Sequence, residues 1–345
     1  MRVAMVMAGA AVGGAETFYV RVVSELARAG EEVLPIIRRH SERAARLREA
    51  GLAPIELAFG GPLDLFTGVR LGRALRAFRP QVVMSWMNRA AHFTPPGPWC
   101  RVGRLGGYYD LDYYRGFDHL AANTLGLVRW IADQGWPAER VHHLPNFVPD
   151  LAGAQPLARA EIGLPENAVL VLAMGRLHRN KGFDNLIEAV ARVPRVAAMI
   201  AGEGQERAAL EALARRLGVA ERVRFLGWRS DQGRLLATSD LFVCPSRTEP
   251  LGNVVLEAWS AARPVVACQA AGPKELIRHG ITGLLVPTDD PVALAEAIRW
   301  LGEDSVFAAS LAAAGRAAWE AAFAPQPVLA RWRELLASLA RRCAA

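Results

Sequence analysis

The sequence predicts an α/β protein made of two Rossmann-like halves, each a parallel sheet with helices on both faces. Three observations predict this. Short apolar runs alternate with helix-period segments along the whole chain of 345 residues, the pattern of repeated β-α-β units. That length exceeds one ordinary core and suits two domains. A proline-bearing stretch without strong periodicity, Pro145 to Asn167, interrupts the alternation, which restarts at Val169.

Val3–Met7 reads as the first strand. It leads through Gly13 and Gly14 into the amphipathic segment Thr17–Ala29. An early arginine, an apolar stretch and small residues also fit a short signal peptide. The helix that follows directly makes the strand the better reading. Val33–Ile37 and Val82–Trp86 are further strands, with the helical segment Leu65–Phe78 between them. The second half runs through strands Val169–Met174, Ala197–Ala201, Leu241–Cys244, Pro264–Cys268 and Leu284–Val286. Phe183–Ala191, Glu206–Leu217 and Val292–Leu301 are its helices. The domains expected are 1–150 and 160–324. A last amphipathic helix, Pro325 to Arg342, carries Val328, Leu329, Trp332, Leu335, Leu336 and Leu339 on a face that must pack.

Composition narrows the function. Hydrophobic content of 52% with 22% charged residues describes a globular enzyme, not a disordered chain. No apolar run approaches the roughly 20 residues of a membrane helix. Cys100, Cys244, Cys268 and Cys343 lie far apart and form no Cys-x-x-Cys pair, so neither a zinc site nor a disulfide framework is expected. A reducing cytoplasm is the expected location, and the chain is expected to be a monomer or a weak homo-oligomer. The net charge of +7 is carried almost wholly by arginine, since Lys181 and Lys274 are the only lysines. No nucleic-acid module accompanies it, so nucleic acid is not expected as a partner.

Ligands of open α/β sheets bind beyond the carboxyl ends of strands. The loops Ala8–Ala15, Gly175–Gly182, Gly202–Gln205, Pro245–Gly252 and Ala270–Pro273 are therefore the ones to inspect. The strand Leu241–Cys244 runs into Ser246, Arg247, Thr248 and Glu249, and a helix is expected from Leu251 or Gly252. The first-turn amides of Gly252, Asn253 and Val254, with the helix dipole, suit an anion such as a diphosphate. Glu257 sits among Val254, Val255, Leu256, Ala258, Trp259 and Ala261, a helix apolar nearly all round and so expected to be buried. A carboxylate there needs a partner: ribose hydroxyls, a backbone amide, or an arginine of the protein itself. Arg176 and Lys181 flank the turn after Val169–Met174, where cations suit a diphosphate leaving group. Gly13 and Gly14 can bring backbone close to a phosphate or sugar. Glu16 is either functional or a first-turn carboxylate favoured by the dipole. Gly202 and Gly204 either shape a base pocket or make an ordinary strand-to-helix turn. Asp289 and Asp290 precede Pro291 and a helix, which makes one of them an N-cap and not a metal ligand. With no His/Cys set at ligand spacing, no metal is expected.

These residues resemble a known pattern. Glu249 and Glu257, as Glu-x7-Glu within EPLGNVVLEAW, look like the signature of the family-4 (group 1) retaining glycosyltransferases. GGAET, GRLHRNKGFDNLIEA, AGEGQER, FLGW, PVVACQAAGPKELI and GLLVPTDDPVALAEAI follow in the family's order and span nearly the whole chain. The resemblance implies the GT-B fold: two Rossmann-like domains facing a central cleft, with the C-terminal helix, about 325–345, crossing back to the N-terminal domain. The N-terminal domain would bind acceptor and the C-terminal domain the nucleotide-sugar donor, which is substrate and not cofactor. Glu257 would bind the ribose and Glu249 would face the transferred sugar. Arg176 and Lys181 would hold the donor phosphates, with Gly13, Gly14, Gly202 and Gly204 lining the donor site. Transfer would retain anomeric configuration without a metal, by a front-face route in which a donor phosphate oxygen helps take the acceptor proton.

The sequence departs from the pattern where many relatives carry a donor-facing histidine. RLGGYYD, Arg104 to Asp110, stands there instead. Gly107, Tyr108 and Asp110, with Asn88, are the cleft candidates; His92 and His119 read as loop and strand histidines. Arg38, Arg39, Arg43, Arg46 and Arg48, and Arg70, Arg73, Arg76 and Arg79, form basic stretches. These are either solvated helix faces or docking surfaces for an anionic membrane. The family also implies a glycan or lipid-linked acceptor in lipopolysaccharide or envelope polysaccharide synthesis, on the inner face of the cytoplasmic membrane. A sugar-nucleotide epimerase, or a non-catalytic subunit that binds sugar nucleotides, is the alternative. A phosphorylase would need a pyridoxal-phosphate lysine, and an oxidoreductase a Gly-x-Gly-x-x-Gly loop.

Overall fold

A computed structural model describes residues 1–10, 13–61, 64–165 and 167–343. The chain divides into two units, one of residues 1–146 with 326–345, the other of residues 147–325. Ala344 and Ala345, the last residues of the segment expected to return, lie outside the described residues, as do Ala11 and Val12 of the first loop.

The first unit is built on a seven-stranded parallel sheet. Its strands are β1 (Arg2–Met7), β2 (Glu32–Arg38), β3 (Ile55–Leu57), β4 (Val82–Trp86), β5 (Cys100–Leu105), β6 (His119–Ala122) and β7 (Val141–His143). Their spatial order is β3-β2-β1-β4-β5-β6-β7. The second unit holds β8 (Val169–Met174), β9 (Val196–Ala201), β10 (Val223–Gly227), β11 (Leu241–Cys244), β12 (Val265–Cys268) and β13 (Leu284–Val286), ordered β10-β9-β8-β11-β12-β13. Every strand pair in both sheets is parallel. Each unit is thus Rossmann-like, as expected, and in each the strand order reverses at one switch point: β1/β4 in the first, β8/β11 in the second.

The apolar runs are continuous and not alternating because both sheet faces are covered. In β8, Val171 and Ala173 pack into one core and Leu170, Leu172 and Met174 into the other. Trp259 is fully buried and donates its indole N–H to the Thr282 carbonyl at 2.9 Å.

Five strands, β3, β5, β6, β7 and β10, were not among the sequence-predicted ones. β5 reads CRVGRL, and its Arg101, Gly103 and Arg104 break the apolar run. Arg104 is nevertheless buried, with its guanidinium 5.6 Å from the Trp86 ring and 5.5 Å from the Trp332 ring. It donates to the Leu105 carbonyl at 3.1 Å and to Asn146 Oδ1 at 2.8 Å. With no carboxylate bonded to it, burial lowers it to about 9. Trp332 lies on the C-terminal helix, Pro325–Arg342, which buries Val328, Trp332, Leu336 and Leu339 within the first unit. Its ring stacks on Trp86 with centroids 6.0 Å apart, and its N–H donates to the Pro145 carbonyl at 3.2 Å.

Candidate active site

The switch point of the second unit gathers the predicted donor residues. The loop after β8 ends in a 3-10 turn, Arg179–Lys181, and the loop after β11 leads into the helix Asn253–Ser260. The N–H groups of Arg247 and Thr248 both donate to the Asn180 carbonyl, at 2.9 and 3.1 Å. The Arg247 guanidinium donates to the Arg179 carbonyl at 2.8 Å, to both Asp184 oxygens at 2.8 and 2.7 Å, and to Asp289 at 2.5 Å. Burial pushes the Asp184 carboxyl up, but these Arg247 contacts more than reverse it and hold it below the usual carboxylate range. Two loops distant in sequence are thereby clamped into one surface. On it the Lys181 ammonium donates to Glu249 Oε2.

Glu249 is well enclosed. Ser246 Oγ lies 3.5 Å from the same oxygen, and the Glu249 carbonyl accepts from Gly272 N–H at 2.7 Å. Burial and the nearby Glu249 carboxylate push the Cys244 thiol up to about 11, so it is not a nucleophile. Gly252 caps the helix with φ 90° and ψ 48°, a left-handed conformation that glycine adopts without strain. A glycine N-cap supplies no side-chain oxygen to the first turn, and helix amide ends are a kind of site that receives anions.

Glu257 corrects an expectation. The helix is not buried all round: Val255, Leu256, Ala258, Trp259 and Ser260 are buried, whereas Asn253, Val254 and Glu257 are partly exposed. Positions 253 and 257 are one helical turn apart and share that stripe. The sequence misleads because the eight-residue helix is covered by the sheet and by the helix Ser305–Ala322, and these leave one stripe of it partly exposed. Arg176 is exposed beside the turn. Gly202 and Gly204 sit where a Cβ would collide with the carbonyls of Gly175 and Leu177. Their smallness therefore lets two loops touch. Asp290 accepts from the N–H groups of Val292 and Ala293 at 3.1 and 2.9 Å, and so is the N-cap expected.

In the first unit, the loop after β1 wraps a buried carboxylate. Glu16 accepts from Ala10 N–H at 2.7 Å, and a Cβ at Gly9 or Gly13 would overlap its oxygens. Gly14 opens the helix Gly14–Arg28. After β4, Met87 has φ 68°, a costly conformation for a methionine. Next to it the buried Oδ1 of Asn88 meets no hydrogen-bond partner among the described residues. Asp110 accepts from Asp112 N–H at 3.0 Å and, with His92 and Tyr113, lines a cavity of about 520 Å³. Tyr108 is exposed and meets Trp130 edge-on at 5.2 Å. His92 lies on the helix Met87–Phe93, not in a loop.

The profile of the family described as glycosyl transferases group 1 matches residues 168–304. The lipopolysaccharide core biosynthesis glycosyltransferase LpsE of Rhizobium meliloti (strain 1021) is 36% identical over 335 residues, covering 94% of this chain and 96% of its own. The chain belongs to the group 1 glycosyltransferases. LpsD of the same organism, also named a lipopolysaccharide core biosynthesis glycosyltransferase, is 36% identical over 311 residues, 88% and 89% of the two chains. Among solved structures, Anabaena HepE, crystallised with UDP and glucose, superposes with a TM-score of 0.83 at 22% identity, over 98% of this chain and 100% of its own. The glycosyltransferase therefore has the GT-B fold.

Three polar groups of this group 1 glycosyltransferase escaped the sequence reading. They are Arg104, Tyr109 and Asn123, all near the carboxyl ends of β5 and β6. Arg104 Nε and Asn123 Oδ1 are buried without a partner among the described residues. Burial and the charge of Glu16 raise the Tyr109 phenol, and Arg104 offsets part of this. The one signal was compositional: an arginine at the end of a strand and two tyrosines just after it, in a chain with five tyrosines.

Proposed function

We propose that this glycosyltransferase transfers a sugar from a nucleotide-sugar donor to a glycan or lipid-linked acceptor, with retention of configuration and without a metal in the transfer step. The observation that carries the reading is the Lys181–Glu249 pair, held at the carboxyl ends of β8 and β11 beside a helix N-terminus that opens on a glycine. In the donor complex, Lys181 and Arg176 stabilise the departing diphosphate together with the amides of Gly252, Asn253 and Val254. Glu249 accepts from hydroxyls of the transferred sugar, and Glu257 from the ribose. Gly13, Gly14, Gly202 and Gly204 line the donor site, and a donor phosphate oxygen helps take the acceptor proton. The second unit is the donor half. The first is the acceptor half, with Asn88, Tyr108 and Asp110 on the acceptor side.

LpsE and LpsD, alike over most of this chain, support lipopolysaccharide core assembly as the pathway. No helix among the described residues is long and apolar enough to cross a membrane. Peripheral docking on an anionic inner membrane surface is supported by the helix Leu65–Phe78. It exposes Leu65, Phe66 and Val69 beside the exposed Arg70, Arg73 and Arg76. The other basic stretch serves this less well. Arg43 is buried and donates to the Ala10 carbonyl, and Arg46 and Arg48 pair with Glu42 and Glu56.

A thermal-shift panel with UDP, GDP, ADP and their sugars tests the donor reading, followed by NMR of the anomeric proton in the transferred product. Stabilisation by one nucleoside diphosphate and an axial product from an axial donor are expected. No response to any nucleotide, or an inverted product, overturns the proposal.

A further inference from the structure

Cys100, His119 and Cys343 look unrelated in sequence, yet the fold brings them together. Cys100 opens β5 and His119 opens β6, the neighbouring strand. Cys343 follows the C-terminal helix and continues its hydrogen-bonding, with its N–H 3.1 Å from the Leu339 carbonyl. The two sulfurs and one nitrogen of His119 all lie within 4.8 Å of one another. Cys100 and His119 are buried, and Cys343 is exposed. His142 Nε2 stands 3.1 Å from His119 Nδ1.

We propose that these residues form a structural binding site for a zinc-class divalent cation, with Cys100, Cys343 and His119 as ligands, water in the fourth position, and His142 hydrogen-bonded to the His119 imidazole. Bonds of about 2.0–2.1 Å to nitrogen and 2.3 Å to sulfur put tetrahedral ligand atoms about 3.3–3.8 Å apart. The three-residue cluster, with its ligand atoms within 4.8 Å of one another, closes with a shift of about 1 Å. Soft thiolates with imidazoles select zinc over the hard cations magnesium and calcium. On binding, both thiols release their protons to solvent. Two thiolates then balance the divalent charge, so the site adds no net charge beside Asp118, Arg140 and Arg342, which act electrostatically on His119.

The position argues for structure and not transfer chemistry. Cys100 and His119 sit at the amino ends of their strands, whereas ligands of parallel sheets bind at the carboxyl ends. The bound ion would pin the C-terminal helix, which carries Trp332, to the sheet that its apolar face covers.

The test uses the full chain, purified under reductant, stripped with a chelator, desalted and reloaded with zinc chloride. About one retained zinc per chain is expected by mass-spectrometric metal analysis, with a melting temperature several degrees above the stripped protein. Cobalt in place of zinc should give thiolate-to-metal charge-transfer absorption. Cys343→Ser, at an exposed position, should keep the circular dichroism of the parent while holding zinc at least ten-fold more weakly, and His119→Asn should do the same. Zinc retention by Cys343→Ser equal to that of the parent overturns the proposal. So does a Cys100–Cys343 disulfide in unreduced protein combined with no zinc uptake after reduction.

Discussion

Replacing Lys181 by alanine separates two roles of one ammonium, its pairing with Glu249 and its proposed contact with the donor diphosphate. The Lys181 side chain is 26% exposed and that of Glu249 11%. Without the lysine, the carboxylate keeps only the Ser246 hydroxyl, at 3.5 Å, as a side-chain partner among the described residues. Stranding a mostly enclosed carboxylate costs about 1–3 kcal/mol. For a domain of this size each kcal/mol lowers the melting temperature by about 2–4 °C. Loss of a cation from the diphosphate site should also slow transfer by about 10²–10³-fold. The second change, Glu249→Gln, discriminates between these effects. In the double variant the stranded charge is gone, so most of the melting temperature should return while the rate does not. Differential scanning fluorimetry and nucleoside-diphosphate release, measured on all four proteins, form the cycle. The reasoning fails if Lys181→Ala turns over within a few-fold of the parent, or if the two stability losses simply add.

Glu257→Gln should weaken nucleoside-diphosphate binding by about 10–100-fold, from the loss of about 1.5–3 kcal/mol of charged hydrogen bonding; isothermal calorimetry reads it, and unchanged affinity would remove Glu257 from the ribose. Trp332→Ala should destabilise the first unit by about 3–5 kcal/mol, because the ring is fully buried, stacked on Trp86 and hydrogen-bonded to Pro145; urea unfolding with probes in each unit should show the loss in that unit. Acid sensitivity follows from depressed carboxyls. The Thr67 hydroxyl and the Gly60 and Thr67 amides hold Asp64 at about 2, and Asp184 is held low by Arg247 against its burial. Groups depressed on folding stabilise the protein above their unfolded pKa and lose that contribution as pH falls. The contribution of these two carboxyls should therefore be complete above about pH 4 and fall toward pH 2, with Asp64→Ala flattening part of that fall in a melting-temperature series.

Much of the second unit was legible because its strands are unbroken apolar runs buried on both faces. Val169–Met174, Leu241–Cys244 and Leu284–Val286 were read with their observed bounds. The first unit was harder. His119–Ala122 and Val141–His143 are only four and three residues long, carry histidines, and earn their strand conformation from neighbours in the sheet. Arg104 interrupts an apolar run and is buried beside two stacked tryptophans, one of them 228 positions away. Glu257 erred the other way: an apolar string implied burial all round, and the packing leaves the stripe of Asn253, Val254 and Glu257 partly exposed.

The sequence by itself determined the α/β class, the family and the apolar stripe of the last helix. These reside in local periodicity and in short motifs, where each residue's neighbours are its neighbours along the chain. Tertiary structure decided which loops meet. It set β8 beside β11, so that Lys181 reaches Glu249 through the clamp at Arg247 and Asn180. It also gathered Cys100, His119 and Cys343, which no spacing rule connects. Strand order and helix return are settled by burial of whole faces, a property summed over the chain that no single segment contains.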